Sequence, residues 1–458
     1  MAEDQRITLA DRDIVAELFT SDEAYRNLVV LCDQFGSRFG GTEGEKGAVE
    51  YMLSKFKEYG LENVHKEEFT YNGWQRGPAK LESITPHATE IKCISLPYTT
   101  AAQVEGEIVY VGYGTPDEFE AAGDKIAGKI VMANAKSPAF FRRSVHRAEK
   151  IGRAVAGGAK GFIWMRFDPG LLEETGSARW NMPCEIPVVG VSREAGEELL
   201  RMQASGRVTV RITTQDKVQQ MPSWNVVAEI RGRTEPEKEI LIGAHFDGHD
   251  IAPGAMDDGA GAVIVMEIAR ALARHKDLIG KTVKFICFPL EEIGLIGAYA
   301  YAKQHDLSNV QFMLNLDGAG RSPLQPGIVL EGMWIELFSY FKQIGKQMKQ
   351  PINVANAISL YSDHFPFQIK GVCTARLGEF SDTPKGVRGF GHTAADTLDK
   401  VSPRDLQMSA LFVSRVMLRM ASNPEWPACQ RTEQQVKDEL GPEWLEVLKL
   451  EKRYPFES

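Results

Sequence analysis

From about residue 223 onward, short apolar runs alternate with helical patterns, and this alternation limits the possible folds more than any other feature of the chain. The runs are apolar almost throughout, which is typical of strands that are buried on both faces of a sheet. They are WNVVAEI, EILIGA, TVKFICFPL, VQFMLNL and VCTARL, and helical stretches such as GAGAVIVMEIARALARH lie between them. The region therefore predicts an α/β domain with a mixed, largely parallel central sheet and helices on both faces.

Two earlier regions have different patterns. Residues from about 12 to 60 carry apolar side chains at helical spacing, whereas residues 104–214 hold short, glycine-rich strands such as GEIVYVGYG and RVTVRITT around two helices. The second region has enough hydrophobic runs of its own to form a separate domain. We therefore predict an inserted β-rich domain at 104–218, between an N-terminal part of the main domain at 1–103 and its larger part at 219–458.

The overall composition narrows the class of partner. The formal net charge is -9, whereas binding to nucleic acid usually requires a basic face, so we expect no nucleic-acid partner. The chain has no run of about 20 apolar residues, so we expect no membrane span. Its six cysteines are scattered without a CxxC pair and no signal-like apolar segment begins the sequence, so we expect reduced thiols and a cytoplasmic protein.

Imidazole and carboxylate side chains follow the ends of the predicted strands. In open α/β sheets, functional groups gather just past the carboxyl ends of the strands. That position holds His245 after EILIGA, Glu292 after TVKFICFPL and Asp317 after VQFMLNL. Asp257 opens the helix that follows the first of these strands, and His392 lies in GHTAADT near the end of the domain. The sequence therefore predicts that these five donors share one pocket.

The chemistry of this donor set predicts what the pocket binds. Imidazole and carboxylate favour a borderline ion such as zinc, and no thiolate belongs to the set. Two histidines and three carboxylates are more than one zinc needs, and they suffice for two ions about 3.5–4 Å apart if one carboxylate bridges them. Asp257 is the natural bridge, because GAMDDGAG places it among small residues at a helix start. We therefore predict two Zn²⁺ ions per chain.

Other residues near these donors are candidates for supporting roles. Two adjacent acids at a strand end point in different directions, so Glu292 can bind metal while Glu291 acts as the general acid/base. Asp247 can accept a hydrogen bond from the free N–H of His245 and so fix the tautomer of that imidazole. Two candidates for substrate contact in the segment YSDHFPF, for which a packing role is the alternative, are Asp363 and His364.

Five segments together carry a likeness to a known family: GAHFDGHDIAPGAMDDGAGA, LEEIGLIGAYAYA, NLDGAG, YSDHFPF and GHTAADTL. In order and rough spacing they resemble the co-catalytic double-zinc aminopeptidase and carboxypeptidase family. The early segment AYRNLVVLCDQFGSRFGGTEGEKGAVEYML is most similar to the plasma glutamate carboxypeptidase-like branch of that family. The ligands that this resemblance implies are His245 and Asp317 for one zinc, Glu292 and His392 for the other, and Asp257 for both. It also implies that Glu291 is the catalytic base and that the middle unit is a protease-associated domain.

The resemblance implies a zinc-dependent exopeptidase that cleaves small peptides with a water activated by two metals. The sequence has no identifiable arginine cluster for a substrate carboxylate, which favours an aminopeptidase or dipeptidase, and a carboxypeptidase of the same family is the alternative. A single-zinc aminoacyl cyclase and a non-catalytic interaction module are less favoured, because the two-metal ligand set and the base are complete. The expected partner is a peptide substrate, and a homodimer stays open.

Two positions depart from this pattern. Gly391 precedes the last histidine, where some glutamate-selective relatives carry a tyrosine. An acidic side-chain preference is therefore not carried over to this chain. His249, in AHFDGHD, has no role in the pattern and either lines the pocket or is a polar loop residue.

Overall fold

A computed structural model describes residues 3–138, 141–320, 326–379 and 389–456. The α-helices in these ranges are α1 (Glu3–Thr20), α2 (Glu23–Phe35), α3 (Glu43–Glu58), α4 (Pro116–Ala122), α5 (Arg147–Ala156), α6 (Arg193–Ala204), α7 (Ala260–Ala273), α8 (Ile296–Gln304), α9 (Ile335–Met348), α10 (Phe365–Gln368), α11 (Pro403–Ser422) and α12 (Glu433–Leu450). The strands are β1 (Glu62–Gln75), β2 (Ala79–Thr85), β3 (Thr89–Ile91), β4 (Ile94–Ser95), β5 (Ala102–Tyr110), β6 (Ile130–Asn134), β7 (Gly161–Met165), β8 (Val188–Val191), β9 (Thr209–Thr214), β10 (Lys217–Ile230), β11 (Glu235–His245), β12 (Lys281–Phe288), β13 (Val310–Asn315), β14 (Pro326–Glu331), β15 (Asn353–Ala357) and β16 (Thr374–Glu379).

The larger of the two sheets has the strand order β1–β10–β12–β11–β13–β16–β14–β15. Strands β12, β11, β13 and β16 are parallel to one another, and β15 is parallel to β14. The pairs β1–β10, β10–β12 and β14–β16 are antiparallel. The predicted fold class, a mixed and largely parallel sheet in an α/β protein, is therefore confirmed.

Helices cover both faces of the larger sheet. Along β11, Ile240 and Ile242 pack in a core that includes α7 and α11, whereas Leu241 packs on the opposite face with residues of α8 and α10. Because successive side chains of a strand point to opposite faces, a strand covered on both sides must be apolar at nearly every position. This packing explains the continuous apolar runs of the central strands.

Two strands of the larger sheet, β1 and β15, have no apolar run that predicts them. Strand β1 (ENVHKEEFTYNGWQ) is largely polar and lies at one edge, where it pairs with β10 from Glu62 to Gln75. Strand β15 (NVANA) lies at the other edge, and none of its residues is buried. These strands depend on backbone pairing with a neighbour, which a side-chain pattern does not reveal.

The smaller sheet belongs to the inserted unit and has the strand order β3–β2–β9–β5–β6–β7–β8–β4. Its strands β5, β6, β7 and β8 are parallel, and α5 and α6 follow the two predicted helical patterns. The sheet takes in β2, β3 and β4, so it begins at Ala79, before the predicted boundary at residue 104. The reason is long-range pairing, because β2 forms its ladder with β9, the last strand of the unit.

The C-terminal helix α12 packs against α5 of the inserted unit. A Cβ atom on Gly152 in α5 would lie 2.7 Å from the carbonyl oxygen of Leu450, so the two backbones are in close contact. Arg143 Nε donates to Glu443 at 2.7 Å, and Arg179 Nη1 donates to the Leu450 carbonyl at 3.1 Å. The end of the chain therefore ties the inserted unit to the main unit.

Two further properties of the described residues bear on the sequence analysis. None of the helices in these ranges combines the length and the apolar character that crossing a lipid bilayer requires. All six cysteines lie within the described ranges, and each is a free thiol.

Candidate metal centre

Three of the predicted donors leave the same edge of the larger sheet. Strand β11 ends at His245, and the neighbouring parallel strands β12 and β13 end shortly before Glu292 and Asp317. His245 lies opposite Phe288, the last residue of β12. The parallel register therefore brings side chains that are distant in sequence to one end of the sheet.

Asp257 reaches the same place from a tight turn, Ala255–Gly259, at the start of α7. Asp396 holds this turn, because its carboxylate accepts the backbone N–H of Met256 at 2.8 Å and that of Asp257 at 3.1 Å. The peptide bond between Asp257 and Asp258 is cis. The main chain of the turn is thus fixed by a buried carboxylate from the segment that also carries His392.

The first cluster of donors consists of His245, Asp257 and Asp317. His245 Nε2 lies 3.7 Å from Asp257 Oδ1 and 3.9 Å from Asp317 Oδ1. Ser362 donates to the other oxygen of Asp317 at 2.6 Å and so holds that carboxylate in place. Nitrogen and oxygen atoms at this spacing can approach one ion together.

The second cluster consists of His249, Glu292 and His392. Glu292 Oε2 lies 3.1 Å from His392 Nε2 and 2.9 Å from His249 Nε2. Asp257 connects this cluster to the first, since its Oδ2 lies 3.6 Å from His392 Nε2. The sequence pattern placed Glu292 and His392 in the pocket and left open whether His249 lines the pocket or is a polar loop residue. The available signal was the alternation His-x-Asp-x-His directly after β11.

The donor atoms of each cluster lie within 4.8 Å of one another. Both clusters contain only imidazole and carboxylate groups, the ligands that borderline divalent ions take. Neither cluster contains a lysine or an arginine. Their carboxylates and imidazoles converge in a pocket and are therefore suited to bind metal ions.

Two family models match the chain. Residues 225–417, which include every member of both clusters, match the model for peptidase family M28, and residues 104–199 match the model for the PA domain. The main unit therefore carries a region similar to peptidase family M28. The predicted resemblance to the double-zinc exopeptidases, with an inserted protease-associated domain, is therefore confirmed.

Relatives and solved structures agree with this family. Human (Homo sapiens) carboxypeptidase Q is 27% identical over 405 residues, which cover 85% of this chain and 83% of that protein. A peptidase M28 precursor from Shewanella amazonensis SB2B has a TM-score of 0.77 at 24% identity and covers 94% of this chain and 100% of that chain. An aminopeptidase from Aneurinibacillus sp. strain AM-1 has a TM-score of 0.67 at 25% identity over 92% and 98% of the two chains. This chain is a metallo-exopeptidase whose substrates are peptides.

Asp247 contacts His245, as predicted, and it also supports the two glutamates. His245 Nδ1 lies 3.0 Å from the backbone carbonyl oxygen of Asp247 and 3.5 Å from its carboxylate. The carboxylate accepts the backbone N–H of Glu291 at 3.1 Å and that of Glu292 at 3.4 Å. The carbonyl group therefore sets the tautomer of His245, and the carboxylate fixes the turn that carries the two glutamates.

The two adjacent glutamates differ in their proton affinity. Burial, together with the negative charges of Asp317 and Glu292, raises the pKa of Glu291 well above its ordinary value. Burial would also raise the pKa of Glu292, but His249 and His392 hold it well below the ordinary value. The surroundings thus favour a proton on Glu291 and a charge on Glu292, which suits an acid/base beside a metal ligand.

The two candidates for substrate contact, Asp363 and His364, are fully buried. His364 Nε2 lies 3.0 Å from the carbonyl oxygen of Ser359 and 3.9 Å from a carboxylate oxygen of Glu331. Burial raises the pKa of Asp363, and the nearby carboxylates of Asp247 and Asp317 add to that shift. Both side chains lie beneath the surface, and their contact with substrate stays a prediction.

One arginine connects the site to the inserted unit. Arg76, between β1 and β2, binds both carboxylate oxygens of Asp250 at 2.6 and 2.7 Å. It also donates to Thr175 Oγ1 of the inserted unit at 3.4 Å. Because Asp250 directly follows His249, this bidentate pair anchors the loop that carries a member of the second cluster.

Proposed function

We propose that this chain is a two-zinc exopeptidase that removes residues from the N-terminal end of small peptides or splits dipeptides. The observation that carries the proposal is the position of Asp257. Its Oδ1 lies 3.7 Å from His245 Nε2, and its Oδ2 lies 3.6 Å from His392 Nε2. One carboxylate with a separate oxygen toward each imidazole is what a bridging ligand between two ions requires.

The donor types support zinc as the ion. Imidazole nitrogens and carboxylate oxygens without thiolate are the usual ligands of catalytic zinc. In this proposal His245 and Asp317 hold one ion, and Glu292 and His392 hold the other. When bound, the ions would lower the pKa of a water molecule and polarise the scissile carbonyl.

Glu291 is the residue that transfers the proton. Its Oε2 lies 3.9 Å from His245 Nε2, and its side chain keeps 13% of its surface exposed to the pocket. It belongs to neither donor cluster. Glu291 takes a proton from the attacking water and gives it to the leaving amine, and a raised pKa suits a group that must hold the proton between the two steps.

The state of two arginines supports attack at the N-terminal end. A carboxypeptidase needs a cation for the terminal carboxylate of its substrate. Arg179 is 1% exposed and binds Glu185 at 2.8 Å, and Arg166 is 2% exposed and lies 3.6 Å from Glu174. Both guanidinium groups are buried and paired. The carboxylates around the pocket suit the ammonium group of a peptide instead.

A carboxypeptidase is the second candidate, and the likeness to carboxypeptidase Q is what favours it. Arg76, whose partner Asp250 directly follows His249, retains partial exposure, with 18% of its side-chain surface accessible. It would have to release Asp250 in order to bind a substrate carboxylate. This competition makes the carboxypeptidase the weaker of the two candidates.

The test compares two adjacent isosteric variants. Zinc per chain is measured for the wild type, Glu291→Gln and Glu292→Gln, and kcat is measured on a free dipeptide, an N-acetylated dipeptide and a C-amidated dipeptide. We expect two zinc ions in the wild type and in Glu291→Gln, with kcat about 10²–10⁴-fold lower in that variant because the general base is lost. Glu292→Gln should retain fewer ions. The wild type should cleave the amidated substrate and leave the acetylated one intact.

Three results would contradict the proposal. One zinc per chain in the wild type would remove the two-metal site. Full activity of Glu291→Gln would remove the assigned base. Cleavage of the acetylated dipeptide would replace the aminopeptidase with the carboxypeptidase.

A further inference from the structure

The cluster around Glu292 contains one donor more than a two-metal site of five ligands uses. We propose that His249 is a direct ligand of the ion that Glu292 and His392 hold, so that the two metal positions have unequal ligand sets. This inference rests on the two-metal site proposed above. It adds a sixth protein ligand and makes the Glu292 position the tighter of the two.

The geometry around Glu292 is the first argument. The Nε2 atoms of His249 and His392 lie 2.9 and 3.1 Å from the same carboxylate oxygen. Two ligands on one tetrahedral zinc with bonds of 2.0–2.1 Å are about 3.3 Å apart. The two imidazoles therefore already flank Glu292 at nearly the spacing of ligands. Their rings cross at 75° with centroids 4.6 Å apart, so that both reach the oxygen without overlapping.

The short contact between His249 and Glu292 is not a good hydrogen bond. Although Nε2 lies 2.9 Å from the oxygen, neither ring nitrogen of His249 has a hydrogen-bond partner of acceptable geometry within the described parts of the chain. At that distance the N–H direction must miss the oxygen. The nitrogen therefore points beside the carboxylate rather than at it, as it does when both groups bind one ion. His249 is 3% exposed, and a buried imidazole without such a bond is costly unless it has another partner.

The backbone holds His249 in this position. A Cβ atom on Gly248 would lie 2.8 Å from Gly254 Cα, so the two ends of this loop touch through their glycines. Arg38 donates to the carbonyl oxygens of Phe246 at 2.5 Å and Pro253 at 2.6 Å, and thereby closes the loop from beneath. Residues on both sides of His249 are thus fixed, which is the supporting structure that a metal ligand needs.

The additional ligand makes the two ions different. With Asp257 shared, the Glu292 position has four protein ligands, whereas the His245 position has three. Four protein ligands are typical of a closed zinc site, and three are typical of a zinc site with a position open for substrate or solvent. The His245 position is then the one that is open for substrate or solvent, and it also lies beside Glu291.

The first experiment measures zinc affinity. Metal-free wild type, His249→Ala and His249→Gln are titrated with Zn²⁺ in competition with a chromophoric chelator, with His305→Ala as a control because that histidine contacts Glu67 instead of the cluster. We expect one tight and one weaker ion in the wild type and in the control, and a loss of more than about 100-fold at the tight position in both His249 variants. Glutamine retains a hydrogen-bond donor but not an imidazole. A supporting hydrogen bond would therefore be largely preserved in His249→Gln.

The second experiment counts ligands directly. X-ray absorption at the zinc edge of the fully loaded wild type should give about 1.5 imidazoles per zinc, because three histidines bind two ions, and His249→Gln should give about 1.0. A two-zinc wild type with about one imidazole per zinc would overturn the inference. Tight binding that is retained in His249→Gln would do the same. Fewer than two zinc ions in the wild type would instead overturn the proposed two-metal site itself.

Discussion

Thr175 of the inserted unit pairs with His392 of the main unit through both of its backbone groups. The Thr175 N–H donates to the carbonyl oxygen of His392 at 2.9 Å, and the Thr175 carbonyl oxygen lies 3.3 Å from His392 Nδ1. When Nδ1 donates to that carbonyl, the lone pair of Nε2 is directed toward Glu292. The inserted PA domain therefore contacts a predicted metal ligand and orients it.

The first prediction concerns Arg76, which contacts Thr175 of the inserted unit and Asp250 of the main unit. Arg76 holds Thr175 on one side and Asp250 on the other, so Arg76→Met should loosen the supports of both His392 and His249. We expect zinc affinity about 10–100-fold weaker, the usual effect of losing an outer support of a metal ligand. Equilibrium dialysis against a zinc buffer measures it. Arg233→Met, at an exposed arginine, is the control, and equal zinc retention in both variants would contradict the prediction.

The second prediction concerns Arg38, which is fully buried. Its guanidinium donates to five backbone carbonyl groups, among them those of Phe246, Pro253 and Gly254 on either side of His249. Arg38→Met should lower the free energy of unfolding by about 3 kcal/mol or more, because it leaves several buried acceptors without donors. Arg38→Lys should lower the free energy of unfolding by a smaller amount, since lysine retains a charge and three hydrogen-bond donors. Urea unfolding measures both, and equal stability of Arg38→Met and the wild type would refute the role.

The third prediction concerns Glu45, a fully buried carboxyl that accepts hydrogen bonds from Ser223 Oγ at 2.5 Å and the Gly41 N–H at 2.6 Å. Burial raises its pKa to about 7. The folded protein then holds this proton more tightly than the unfolded chain, so stability is highest below the unfolded pKa of 4.5 and falls as the pH rises toward 7. The loss from this one group is about 3 kcal/mol.

Glu45→Gln has no proton to lose and tests this pH dependence. The difference in unfolding free energy between about pH 5 and about pH 8 should be smaller in the variant than in the wild type by most of that amount. Urea unfolding of both proteins at the two pH values measures the difference. Parallel pH profiles of the two proteins would show that Glu45 is already ionised in the folded state.

The fourth prediction concerns Gly391, which precedes His392. A Cβ atom at this position would lie 2.6 Å from Asp257 Oδ2, so Gly391→Ala should displace the carboxylate that faces both imidazoles. We expect reduced zinc content with little change in the circular dichroism spectrum. Gly389→Ala is a matched control, because its Cβ would meet only the flexible end of Met256. Full zinc retention in Gly391→Ala would contradict the assigned position of Asp257.

Much of the fold followed from residue patterns because its central strands are covered on both faces. Burial on both faces requires continuous apolar runs, and β10, β11, β12, β13 and β16 carry them. Strands β1 and β15 lie at the edges and have polar sequences, so their pairing was not predictable from side chains. For the same reason the smaller sheet begins earlier than expected, since β2 is held by its ladder with β9, more than 100 residues away.

The residues of the site were predictable to the extent that they follow strand ends. His245, Glu292 and Asp317 each come soon after a parallel strand, and the carboxyl ends of such strands share one edge. The residue pattern carries no information on the distances between side chains that follow different strands. It therefore could not place His249 beside Glu292, or reveal that Asp247 supports the glutamates through its carboxylate and His245 through its carbonyl group.

The sequence by itself determined the α/β class, the family and the types of donor group, because these depend on apolar periodicity and on short motifs local in the chain. Only the tertiary structure decided which imidazoles contact the same oxygen of Glu292. It also decided which glutamate retains a charge and how the inserted unit orients His392. These properties depend on burial and on distances of a few ångströms between segments far apart in sequence. The contact of Thr175 with His392 joins two such segments, and no local pattern in either one encodes it.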